Sequence, residues 1–165
     1  MYIYYFIRFF FIPLPKIQDM TLEELEKKLV TIRQDEEVTF KMLKERGLSR
    51  ETIMHIHEGK DYNMSSLFKY LDALMYVIEV NGVIVSDLQG FSQILRGTRL
   101  AFNQTLQDIQ RELAWNPKQV LSIEKGRGYT RSSLLKYSSI VKADYELISV
   151  FDLSSEIREA LFKNT

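Results

Sequence analysis

IHEGKDYNMSSLFKY, residues 56–70, returns sixty-seven residues later as IEKGRGYTRSSLLKY, residues 123–137. Without a gap, Ile56/Ile123, Gly59/Gly126, Tyr62/Tyr129, Ser65/Ser132, Ser66/Ser133, Leu67/Leu134, Lys69/Lys136 and Tyr70/Tyr137 are identical, eight positions in fifteen. Ordinary composition gives about one such match. A period this long, met only twice, indicates a duplicated domain rather than a solenoid. The copies extend over 21–86 and 87–151, with an apolar arm at 1–20 and a terminal helix in 152–165.

Working outward, each copy reads as a set of short helices. Thr21 with Glu24 makes a capping box, and Leu22, Leu25, Leu29 and Ile32 follow at helical spacing. Phe40, Met42 and Leu43 belong to a second helix that stops at Gly47. Ser49 caps a third, with Ile53 and Ile56 inward and Gly59 at its end. Leu67, Tyr70, Leu71 and Leu74 form a fourth. The second copy repeats the order. Ile94, Leu95 and Thr98 open it, Thr105 with Asp108 resembles a capping box, and Asn116-Pro117 is an N-cap with proline at the first helical position. Val120 and Ile123 face inward before Gly126. Tyr70, Tyr137 and Trp115 read as packing residues.

After the fourth helix the pattern changes. Tyr76–Val80 and Val83–Val85 are β-branched runs around Asn81-Gly82, a pair that tolerates the positive φ of a tight hairpin. Tyr145–Phe151 is a candidate strand, and Ser154–Lys163 a helix. The expected fold is mainly α, two tandem helix-turn-helix units with a small β-hairpin or strands after the fourth helix of each.

The net charge is zero, which argues against a uniformly basic nucleic-acid binder. Charge is nevertheless segregated. Residues 21–80 hold nine Lys/Arg against twelve Asp/Glu, whereas 91–142 hold nine against three. The second copy is therefore the place for phosphate. Cysteine is absent, which excludes disulfides and fits a cytoplasmic location. The opening MYIYYFIRFFFIPLP is too short to span a membrane and is broken by Arg8 and two prolines. It reads either as a mis-assigned start ahead of Met20 or as an arm that packs on the body or a partner.

Thr105…Ile109…Ala114…Val120…Ile123-Glu124-Lys125-Gly126 resembles the lambda-repressor/Cro-like (Xre-type) helix-turn-helix family. That family places an Arg in its first helix, a Thr at the start of the second, a small residue at the turn and Ile-Glu-x-Gly at the end of the third. Arg99, Thr105, Ala114 and Ile123–Gly126 stand at those places. The first copy resembles a diverged relative, with Val38 for the Thr, Gly47 at the turn and Ile56-His57-Glu58-Gly59 at the end. Leu106 stands where the family often has Gln, and Arg46 where an apolar core residue is usual.

The resemblance implies a transcriptional regulator whose third helix enters the major groove of double-stranded DNA. Base contacts would come from Asn116, Lys118, Gln119 and Ser122. Asn and Gln can grip adenine, and Lys donates to guanine acceptors. Phosphate contacts would come from Arg99, Lys125, Arg127 and Arg131. Arg50, Thr52, His55 and Lys60 are the matching set in the first copy, which is either a second reading unit or a packing and dimerisation unit. Possible partners are a second copy of the chain and a small protein. In the alternative reading the chain is an antitoxin-like module that binds a toxin and only autoregulates through DNA.

His55 and His57 lie two apart, point to different faces of a helix and make a poor metal pair. Glu124-Lys-Gly-Arg-Gly-Tyr129 lacks the spacing of a nucleotide-binding loop. No catalytic constellation stands out, so neither an enzyme nor a cofactor is expected.

Overall fold

Thr21 does open a helix through a reciprocal capping box with Glu24, and from there the computed structural model, which describes residues 20–163, is mainly helical. The arm expected at 1–20 lies outside the described residues except for Met20. The first half contains α1 (Leu22–Asp35), α2 (Phe40–Glu45), α3 (Arg50–Glu58), α4 (Met64–Leu74), β1 (Tyr76–Val80) and β2 (Val83–Val85). The second contains α5 (Leu88–Ala101), α6 (Leu106–Leu113), α7 (Pro117–Glu124), α8 (Arg131–Ser138) and β3 (Tyr145–Ser149). A short 3-10 turn leads to α9 (Ser155–Phe162), capped by Ser154. Four helices and a strand thus occur twice in the same order.

The caps explain where the helices begin. Thr39, Ser49, Asn63, Asp87, Thr105, Asn116 and Thr130 each accept a backbone N–H of the first turn through the side chain. Two pairs of them revise the alignment of the halves. Thr39 and Thr105 stand sixty-six residues apart, Ser49 and Asn116 sixty-seven, because α6 is two residues longer than α2 and the turn after it one residue shorter. The counterpart of Thr105 is therefore Thr39, and Val38 is a buried core residue instead. Arg46 does not occupy a core position either. It is the exposed C-cap of α2, with Nη1 3.1 Å from Asp72 Oδ2, and Leu43 supplies the buried contact.

The hairpin forms as its turn residues require: Asn81 and Gly82 have φ of 50° and 81°. β1 pairs antiparallel with β2 on one side and with β3 on the other, in the order β2-β1-β3. Ile78, Val80, Val85 and Leu147 turn inward onto the helices. One cluster of buried side chains runs through both halves, from Leu25 and Leu29 to Ile109 and Val120.

The halves meet through reciprocal bonds. The Met64 N–H donates to the Tyr129 carbonyl (3.0 Å), and the Arg131 N–H to the Tyr62 carbonyl (2.9 Å). Exchanging equivalent residues of the halves turns each bond into the other, which is the signature of a two-fold contact. The antiparallel β1–β3 pairing, with Ile78 opposite Leu147, has the same sense.

Candidate nucleic-acid interface

α7 is held by its inward face. Val120, Ile123 and Glu124 are buried, while Asn116, Pro117, Lys118 and Gln119 are exposed and Ser122 is half-buried. Ala114, in the turn before it, adopts φ 52°; Gly47 adopts φ 79° at the corresponding turn. Lys125 and Arg127 are exposed just beyond the helix. The expected base-contact residues and two of the four expected phosphate contacts thus lie together at an outward helix.

Their hydrogen bonds narrow what they can offer. Asn116 Oδ1 accepts the Gln119 N–H (3.1 Å), and Gln119 Oε1 accepts the Asn116 N–H (3.0 Å). Each amide oxygen gives one of its two lone pairs to this capping box, while the two NH₂ groups make no hydrogen bond among the described residues. Such groups suit the N7, O6 and O4 acceptors of the major groove better than a two-way grip on adenine. Ser122 Oγ donates to the Lys118 carbonyl (2.8 Å), so it faces outward as an acceptor.

Arg99 and Arg131 are placed elsewhere. Arg99 is 4% exposed: Nη2 donates to Glu124 Oε2 (3.0 Å), Nε to Glu124 Oε1 and Nη1 to the Gln104 carbonyl. The Tyr137 hydroxyl donates to the same Glu124 Oε1 (2.8 Å). The hydrogen bonds that Arg99 donates to Glu124 raise the guanidinium above its ordinary pKa despite burial. Arg131, 7% exposed, donates from Nε (2.7 Å) and Nη2 (2.8 Å) to Glu26, across the junction of the halves. Tyr62 O–H donates to Glu26 as well (2.6 Å), and burial pushes that phenol well above its ordinary range. Both arginines brace the protein, and neither is available to a phosphate.

The sequence held a signal for this. Arg99 continues the stripe of Phe91 and Leu95 at four-residue spacing, and Glu26 fills the fourth place among Leu22, Leu25 and Leu29. A charge on a buried stripe demands a buried partner.

In the first half, Arg50 is exposed at the start of α3 beside the exposed Glu51, and Thr52 is half-buried. His55 Nδ1 lies 2.8 Å from the Asp61 carbonyl oxygen, and exposed Lys60 pairs with Glu58. The residues flanking the helix turn are no more acidic here than in the second half. Positions 39–60 carry five Lys/Arg against three Glu, and positions 105–127 four against three acids, one of them the buried Glu124. The acidity of the first half belongs to α1 and the turn after it, at Glu23, Glu24, Asp35, Glu36 and Glu37.

Among the described residues no group of His, Asp and Glu could hold a metal ion, and no helix is long and apolar enough to cross a membrane. No family model, curated protein or solved structure matches the chain.

Proposed function

We propose that the chain is a sequence-specific double-stranded DNA-binding protein, a transcriptional regulator rather than an enzyme, that reads the major groove with α7. One observation carries the reading. α7 stands on a buried apolar and ionic base while Asn116, Lys118 and Gln119 face outward, next to the exposed cations Lys125 and Arg127. Free amide and ammonium donors suit base edges, and exposed cations suit phosphate.

Selection from random duplexes, followed by salt titration of the winner, tests this. Affinity should fall steeply with salt as condensed counterions are released. Lys118→Ala should weaken the selected site by roughly 10–100-fold and relax one base position. Lys125→Ala should weaken all duplexes alike and flatten the salt slope by about one unit. Failure to select any duplex would refute the reading.

A second reading, the antitoxin-like module, has its own support. Phe151 is 71% exposed and Ile157 40%, and α9 buries none of its residues. An exposed apolar surface of this kind suits a protein partner. A small protein that co-purifies in stoichiometric amount and covers α9 would favour it.

A further inference from the structure

We infer that one chain occupies a DNA site of two inverted, unlike half-sites, one read by α3 and the other by α7. This rests on the DNA-reading proposal above and adds the architecture of its ligand.

The orientation follows from the junction. A head-to-tail tandem would join one surface of the first half to a different surface of the second. Here the surfaces are the same: residues 62–64 pair with residues 129–131 through mutually exchangeable bonds, with Asn63 opposite Thr130. A two-fold relation of this kind relates the two reading helices by rotation rather than by translation. That matches the dyads of duplex DNA, whose strands are antiparallel, and calls for an inverted repeat rather than a direct one.

The spacing is fixed by the same junction. Five residue pairs join β1 to β3, and the buried Arg131–Glu26 pair ties α8 to α1. Asp61 Oδ1 accepts the Ser132 N–H (2.8 Å), so a residue of the first half caps a helix of the second. With no flexible tether between the halves, one separation of half-sites is favoured.

Both halves keep a cationic balance around the helix turn, as the counts above indicate, so the first half is fit to meet phosphate. Their reading residues nevertheless differ at matched places. Numbered from the caps Ser49 and Asn116, Glu51 matches Lys118, Thr52 matches Gln119, and His55 matches Ser122. Glu51 is an exposed acceptor that suits the cytosine N4 amine, and Lys118 an exposed donor that suits guanine N7 and O6. Opposite requirements at one position make the two half-sites unlike. The DNA site is a broken palindrome.

The test uses the full chain and the duplex it selects from a random pool. Three probes are compared: the winner, the winner with one half-site reversed in place, and the winner with about five base pairs, half a helical turn, inserted at its centre. Native mass spectrometry should find one chain per duplex. The reversed and lengthened probes should bind about 100-fold more weakly, because the second contact is no longer intramolecular. Glu51→Lys at an exposed position and Thr52→Gln at a half-buried one, made together, should drive a repeated selection toward a more symmetric palindrome while the α7 half-site stays the same. The inference is overturned if the reversed probe binds like the winner. It is equally overturned if two chains bind through α7 alone, or if the Glu51→Lys/Thr52→Gln variant selects the original sequence. Selection of a lone half-site with strong salt dependence would remove the inference and leave the DNA-reading proposal standing; selection of nothing would remove that proposal.

Discussion

Arg99 and Arg33 occupy the same place in α5 and α1, yet the side chains around them differ. In the second half Arg99 meets Glu124, which also receives the Tyr137 hydroxyl, and Nη1 reaches the Gln104 carbonyl. In the first half Arg33 Nη1 reaches the equivalent carbonyl, that of Val38, at 3.1 Å, and Tyr70 stands where Tyr137 does. The residue between them is His57. Its Nε2 shares a hydrogen bond with the Tyr70 hydroxyl (2.7 Å), and the Arg33 Nε is left buried without a partner. Phe40 compensates in part, with the guanidinium carbon 5.2 Å from its ring centre and the His57 ring packed edge-on against it. A carboxylate joins three groups, while an imidazole joins two. The same fold therefore tolerates a closed ionic network in one half and an open one in the other.

The closed network gives the largest expected effect. Glu124→Gln keeps the shape but leaves Arg99 buried without its counter-charge, a loss of about 3–5 kcal/mol that urea unfolding would measure. A cost below about 1 kcal/mol would mean that the network matters no more than a surface pair. The junction comes next. Glu26→Ser should cost about 3 kcal/mol by stranding Arg131. Adding Arg131→Met, which installs the residue types found at Ser92 and Met64, should recover most of that loss; additive losses would break the proposed equivalence of the two sides.

His57→Glu tests the open network. Closing it should stabilise the protein by about 1 kcal/mol at neutral pH, visible as a rise of roughly 2–4 °C in melting temperature. No gain would show that Phe40 already satisfies Arg33. The smallest effect is a pH dependence. Burial, and then Arg33, hold the His57 imidazole below its ordinary value of 6.5, with Glu58 opposing them and Tyr70 and Phe40 against the ring. The unfolded chain thus binds more protons here, so this contribution to stability is complete above pH 6.5 and shrinks as pH falls below it. The difference in stability between the native chain and His57→Gln, followed from pH 7.5 to 5.5, should carry that slope.

Most of the fold was legible because its signals are local. Caps at Thr21, Thr105 and Asn116, the Asn81-Gly82 turn and the terminal helix after Ser154 each depend on a few neighbouring residues. What the sequence left open depends on distant partners. β3 pairs with a strand some seventy residues earlier, and Arg131 finds Glu26 across 105 positions. The alignment at a constant offset of sixty-seven also hid the match between Arg33 and Arg99, because the halves are in step at sixty-six until the extra length of α6. At the candidate interface, the outward amides of α7 followed from amphipathic spacing. The burial of Arg99 and Arg131 required reading charges on the apolar stripe as core residues.

The Asn63–Thr130 bridge has a consequence for how freely the protein can vary. In an assembly of two identical chains every substitution is made twice, so an arginine beside the axis would confront its own copy. Peptide linkage of the halves removes that constraint: Arg131 lies on one strand of the bridge and Met64, its equivalent, on the other. With both halves on one chain, each side can carry its own residue while the two-fold contact is kept.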